Sequence, residues 1–91
     1  MTETGDLKGV VKDIKGEPIA FVEIAVLNGN TRITGASTDF DGKYFLKGIA
    51  VGRYTVKAEN VGYVTQEDSG VQINNDQITF LDFTMPNQSS L

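Results

Sequence analysis

Apolar and polar residues alternate along much of this chain with a period of two. Between Lys43 and Lys47, Tyr44 and Leu46 point one way while Lys43, Phe45 and Lys47 point the other. Between Arg53 and Glu59, Tyr54, Val56 and Ala58 alternate with Arg53, Thr55, Lys57 and Glu59. Successive side chains leave a strand on opposite sides, so this alternation marks strands with one buried face. Further strands are predicted over 7–13, with Leu7, Gly9 and Val11 on one face, and over 19–27, where Val22, Ile24 and Val26 oppose Phe21, Glu23 and Ala25. The pattern adds Arg32 to Asp39, with Gly35 inside as a bulge or a close backbone approach, and Gln77 to Met85, with Leu81, Phe83 and Met85 opposite Ile78 and Phe80. Val64 to Asp68 is more polar and reads as a short edge strand or a loop before the clean alternation of Val71-Gln72-Ile73.

Glycine, proline and asparagine punctuate these runs. Asp41-Gly42 reads as a two-residue hairpin loop, where glycine supplies a positive φ without a Cβ clash. Ile14 to Pro18, Asn28-Gly29-Asn30, Gly48 to Gly52, Asn60 to Gly62, Ser69-Gly70 and Asn74-Asn75-Asp76 are the other breaks. No segment carries a 3.6-residue period, so helix content is expected to be close to nil. About seven short strands at this spacing predict an all-β fold, a seven-stranded antiparallel sandwich of Greek-key type. The domain is expected to run from 7 to 85, between a disordered extension (1–6) and a disordered tail (86–91), with Pro86 ending the last strand.

Ninety-one residues suit one small domain, and 40% apolar with 22% charged residues suits a packed core rather than a disordered segment. The net charge of −4, with no basic run, disfavours nucleic acid and anionic membrane surfaces as partners. Cysteine and histidine are both absent. That excludes a Cys/His zinc site, a Ser-His or Cys-His nucleophile pair and an imidazole general base. Met1 to Asp6 is polar and holds no signal-peptide core, and no apolar run approaches the ~20 residues of a membrane helix. The expectation is a segment of a longer, exported chain.

Several residues invite a functional reading. Asp39-Phe40-Asp41-Gly42 resembles the start of a calcium loop, making Asp39 and Asp41 the candidate metal ligands. The twelfth position counted from Asp39 is Ala50, however, where such a loop needs a bidentate glutamate. The favoured reading is a turn whose aspartates bind local backbone amides, and no cofactor is expected. Tyr44 and Tyr54 fall on the apolar faces of their strands, which places them in the core rather than, with Tyr63, on a sugar-binding platform. Phe21, Phe45 and Phe80 each fall opposite the core face, and as one patch they would mark a partner-contact surface. Lys8 or Lys12 with Asp82 and Glu23 has the composition of an internal isopeptide site, but Lys8, Lys12 and Glu23 fall opposite the apolar residues. Asp39 and Asp41 are also a close carboxylate pair, on a tight turn with no pocket for catalysis.

Taken together, Gly9-Val-Val-Lys-Asp13, Gly16-Glu-Pro-Ile-Ala-Phe-Val-Glu-Ile-Ala-Val26, Thr38-Asp-Phe-Asp-Gly-Lys-Tyr-Phe-Leu46, Gly52-Arg-Tyr-Thr-Val56 and Gly62-Tyr63 resemble the carboxypeptidase regulatory-like domains. The resemblance covers Leu7 to Met85 and departs from the family at Phe21-Val22, where the family often places Gly-Ala. It implies a transthyretin-like (prealbumin-like) sandwich. It further implies a non-catalytic accessory module, a spacer or docking domain, of the kind found beside metallocarboxypeptidases, at the N-termini of TonB-dependent receptors and in secreted multidomain proteins. The implied partner is a neighbouring domain or a cell-envelope protein, the implied location extracytoplasmic, and the expected state a monomer. A carbohydrate-binding module using exposed aromatics is the alternative. The transthyretin-like ureide hydrolases resemble the same fold but depend on histidines.

Overall fold

Strand β1 (Thr4–Asp13) lies at the centre of one of two sheets. The computed structural model describes residues 3–87 and contains seven further strands. They are β2 (Glu23–Asn28), β3 (Thr31–Ser37), β4 (Lys43–Ala50), β5 (Gly52–Glu59), β6 (Gln66–Ile73), β7 (Ile78–Phe80) and β8 (Phe83–Met85). In the first sheet β1 pairs antiparallel with β4 on one side and parallel with β7 and β8 on the other. The second sheet has the order β3-β2-β5-β6, all antiparallel.

The inward rows meet as the alternation predicts. Leu7, Val11, Tyr44, Leu46, Phe83 and Met85 of the first sheet face Ile24, Val26, Tyr54, Val56, Ala58 and Ile73 of the second, all buried. Each buried aliphatic side chain of this kind contributes about 1.5–3 kcal/mol. Tyr44 and Tyr54 are core residues whose hydroxyls donate to backbone carbonyls at the margin, Tyr44 to Leu81 and Tyr54 to Ala50 at 2.6 Å. Gly9 is why Tyr44 fits. A Cβ built on Gly9 would stand 1.7 Å from the Leu81 carbonyl oxygen and 2.8 Å from the Tyr44 hydroxyl.

Several boundaries differ from the sequence expectation. The strand expected over 77–85 is two, because at Leu81-Asp82 the backbone leaves the ladder. Leu81 N–H still donates to the Lys8 carbonyl at 2.9 Å, and the Asp82 carboxylate then accepts the Val10 N–H at 2.9 Å in place of a backbone oxygen. Both halves run parallel to β1, so the sheet is not purely antiparallel. The N-terminal extension expected to be disordered is strand from Thr4, since Thr4 and Gly5 pair with Ala50 and Ile49 and Thr4 accepts the Asp76 N–H. Backbone pairing holds this polar segment, which hydrophobic alternation does not reveal. The expected tail is held as far as Asn87, which bridges to Tyr63 while Pro86 accepts the Val64 N–H at 2.8 Å. Residues 1–2 and 88–91 of those expectations lie outside the described residues. Ser69-Gly70 does not break β6; Gly70 (φ 74°) forms a bulge within it. In β3 the extra residue is Ile33, while Gly35 admits the Arg32 guanidinium, 2.2 Å from where a Cβ would stand.

The second strand begins at Glu23 rather than Ile19, because Ile19 to Val22 carries the chain from one sheet to the other. Ile19 N–H still bonds the Val11 carbonyl of β1. Two residues later the chain bonds Thr38, just past β3. Phe21 N–H donates to the Thr38 carbonyl and Thr38 N–H to the Val22 carbonyl, both at 3.0 Å. The buried Thr38 hydroxyl donates to the Ile19 carbonyl at 2.8 Å and accepts the Val22 N–H at 2.9 Å. Thr38→Val keeps the shape and removes both hydroxyl bonds. It is expected to cost about 1–3 kcal/mol and lower the melting midpoint by several degrees, read by thermal and urea unfolding.

Tyr44 ionises well above the usual tyrosine range, chiefly because burial penalises the phenolate, with the Asp82 and Asp68 charges adding to the shift. The unfolded chain loses this proton near pH 10 while the folded chain keeps it, so the stabilisation is complete below that pH and is lost as pH rises above it. Tyr44→Phe should therefore be less stable near neutrality but lose less stability between about pH 8 and pH 11, measured by urea midpoints.

Candidate functional site

One end of the sandwich is built from two copies of the same five-residue loop. In Asp13-Ile14-Lys15-Gly16-Glu17, the Asp13 carboxylate accepts the N–H groups of Lys15 and Glu17, both at 2.9 Å. In Asp39-Phe40-Asp41-Gly42-Lys43, Asp39 accepts those of Asp41 and Lys43, again at 2.9 Å. In each loop the glycine N–H returns to the aspartate carbonyl and the aspartate N–H donates to the fifth residue's carbonyl. The glycine alone takes a positive φ, 85° at Gly16 and 73° at Gly42. Asp41-Gly42 is therefore not the two-residue primed loop of the sequence reading, because Asp41 lacks the positive φ that both primed types need at the first position. It ends a wider turn closed by a glycine, the pattern of three-residue hairpin loops.

This geometry decides what the aspartates do. One Asp39 oxygen is held by two amides, and Asp41 is an exposed carboxylate beside it. Among the described residues no group of three or more Asp and Glu side chains could hold a metal ion. The turn is organised by amide hydrogen bonds.

The same loops push apolar residues outward. Ile14 and Phe40, each at the second loop position, are exposed, Phe40 by 80%. Phe40 meets Phe21 edge-on, with ring centroids 5.1 Å apart and planes at 76°. Phe21 adopts φ 58°, the left-handed region in which an L side chain is strained. It stands where the family resembled above often places glycine, the residue that this conformation suits. Beside the pair an open groove of about 460 Å³ is lined by Phe21, Glu23, Glu59, Val61 and Tyr63, and Val61 is almost fully exposed.

The three candidate contact phenylalanines do not share one patch. Phe45 and Phe80 lie opposite Lys8 from β4 and β7, in one row across the outer face of the first sheet. Phe21 is at the end of the sandwich with Phe40, which pattern reading missed because it belongs to a turn and not to a strand. An aromatic flanked by two aspartates just before a glycine was the available signal. A stacking platform for sugars needs coplanar rings, and the perpendicular Phe21–Phe40 pair does not supply one. Lys8 and Lys12 are exposed, Glu23 pairs with Arg32 at 2.6 Å, and Asp82 caps Val10, so these groups do not converge in the core.

Comparison with known proteins agrees with this architecture. A family model described as carboxypeptidase regulatory-like domain matches residues 6–86. No curated protein sequence matches the chain. Similar solved structures include a type II cohesin–X–dockerin complex from Acetivibrio cellulolyticus, at 24% identity and a TM-score of 0.70 over 89% of this chain and 56% of that one. The minor pilin GBS52 of Streptococcus agalactiae matches at 16% identity and 0.74, over 100% and 48%. The 5-hydroxyisourate hydrolase of Klebsiella pneumoniae matches at 16% and 0.69, over 93% and 92%. At these identities the likeness shows a shared fold. The chain spans about half the length of the first two.

The strained, exposed Phe21 yields a test. In a Phe40→Ala background, Phe21→Gly should raise stability by about 0.5–1 kcal/mol, as the left-handed strain is relieved against the entropy cost of glycine. With Phe40 present the gain should shrink or reverse, giving a coupling of about 0.5–1.5 kcal/mol in a double-mutant cycle of urea unfolding.

Proposed function

The chain belongs to the carboxypeptidase regulatory-like domain family, and from that premise we propose that it is a non-catalytic accessory module of a larger exported or envelope-associated protein, serving as a spacer or docking domain. The observation that carries this reading is the family match across residues 6–86, nearly the whole chain. The similar chains of the cohesin–dockerin complex and the pilin use the same fold as one part of a longer protein. The hydrolase neighbour does not extend to this chain, because the histidines on which the transthyretin-like ureide hydrolases rely are absent from its sequence. The polar features also have structural employment. Both loop aspartates satisfy backbone amides, Thr38 ties the sheets together, and the tyrosines in the core donate to carbonyls. The turn needs no calcium on this reading, and a melting midpoint unchanged by millimolar calcium or by chelator is expected.

The test is to read the source gene on both sides of this segment, express the adjoining domain, and measure binding by calorimetry. Saturable binding to that neighbour, with no response on a glycan array, is the expected result. A frame with no adjoining domain, together with glycan binding that Phe45→Ala or Phe80→Ala removes, would replace the module reading with carbohydrate recognition.

A further inference from the structure

We propose that the free edge of β4 is a docking site for an extended acidic segment of a partner protein, which joins the first sheet as an added strand beside Lys43–Lys47. This deepens the docking reading above and rests on it. β4 is the end strand of its sheet, paired to β1 on one side and to no described strand on the other. From Lys43 to Lys47 it alternates strictly: Tyr44 and Leu46 are buried, whereas Lys43, Phe45 and Lys47 are exposed.

The other edges are less suited. β3 is bulged at Ile33, and its Arg32 is engaged with Glu23. β6 carries the acidic Glu67 and Asp68 and is bulged at Gly70. β7 and β8 are three residues each. β4 is also bulged, at Gly48 (φ 73°) between Leu46 and Ile49, but it keeps regular register with β1 from Lys43 to Leu46 and exposes a lysine on either side of Phe45.

Charge identifies the occupant. The outer face of this sheet holds Lys8, Lys12, Lys43 and Lys47, four of the chain's eight basic residues, although the chain as a whole is acidic. Its two carboxylates are committed to the sheet itself: Asp6 accepts the Gly48 N–H at 3.1 Å and Asp82 the Val10 N–H at 2.9 Å. Among the described residues none of the four lysines forms an ion pair. Lysines on an edge ordinarily discourage pairing. Here they do so selectively. In an antiparallel pair of two β4 strands centred on Phe45, Lys43 would face the Lys47 of the second copy, and like charges directly opposite destabilise a ladder. A strand with acidic residues two positions either side of an apolar one reverses both terms. Its acids meet the Lys43 and Lys47 side chains, and its apolar residue lies against Phe45. Its backbone pairs with the edge from Phe45 onward, because the Lys43 N–H and carbonyl are already bonded to Asp39.

The probe is a blocked peptide, Thr-Glu-Val-Leu-Val-Glu-Thr, with a control carrying lysine for each glutamate. Both are titrated into the intact chain and followed by amide NMR and hydrogen exchange. The expected result is saturable shifts confined to β4 and its outer-face neighbours, slowed exchange of the Phe45 and Lys47 amides, and preference for the glutamate peptide. The charge-swapped variant Lys43→Glu/Lys47→Glu, checked for native folding by its NMR spectrum, should lose affinity for that peptide roughly tenfold and gain it for the control. Equal affinity for both peptides, shifts away from β4, or no binding would overturn the proposal and leave the lysines as edge guards. So would a sedimentation result showing that β4 pairs with a second copy. Competition separates this idea from the one beneath it. If the adjoining domain binds and the glutamate peptide does not displace it, the module reading stands and the β4 site falls. If the peptide binds β4 and the adjoining domain does not bind at all, the reverse holds.

Discussion

The fold depends on carrying the chain across the gap between its two sheets without leaving buried backbone groups unpaired. An N–H or carbonyl stranded there would cost about 1–3 kcal/mol, a large share of the stability of so small a domain. Ile19 to Val22 makes the crossing, and Thr38 meets it with its backbone and its hydroxyl together. Thr38 stands between β3 and the loop leading into β4, so one residue ties the crossing segment to the chain's second passage between the sheets. The placement of β2 relative to β1, and of β4 relative to β3, follows from that contact.

A second constraint operates at the opposite margin of β1. The chain returns along β1 in the parallel direction and leaves the ladder at Leu81-Asp82, where an aspartate oxygen takes over from a backbone carbonyl. Gly9 provides the room for that departure, and the Tyr44 hydroxyl closes it against the Leu81 carbonyl. Polar atoms at both margins are thus consumed in holding the sandwich together. What remains free on the surface is mainly charge and a few aromatic rings: the lysine-bearing edge of β4, the Phe45–Lys8–Phe80 row and the Phe21–Phe40 pair.

The two aspartate loops show how local chemistry produces an apolar surface. Each loop turns its carboxylate inward to bind two amides, and the residue after the aspartate is left outside. In both copies that residue is apolar, Ile14 or Phe40. Phe40 then gives Phe21 a partner at a backbone position that a side chain rarely adopts.

Alternation in the sequence was enough to assign the buried rows, because a period of two leaves only one face for Val22, Ile24, Val26, Tyr44, Leu46, Tyr54, Val56 and Ala58. The absence of helix, the turn at Asp39 and the tyrosines in the core were legible for the same reason: each depends on near neighbours in the chain. Thr4 to Asp6 joining β1, the division of the last strand, the parallel pairing and the meeting of Phe21 with Phe40 were not legible. Each is set by contacts between residues distant in sequence, through backbone groups that every residue carries alike. The sequence by itself determined which side chains must be buried and where most of the turns fall. Only the tertiary structure decided which strand became a free edge, and which charges on it were left without partners.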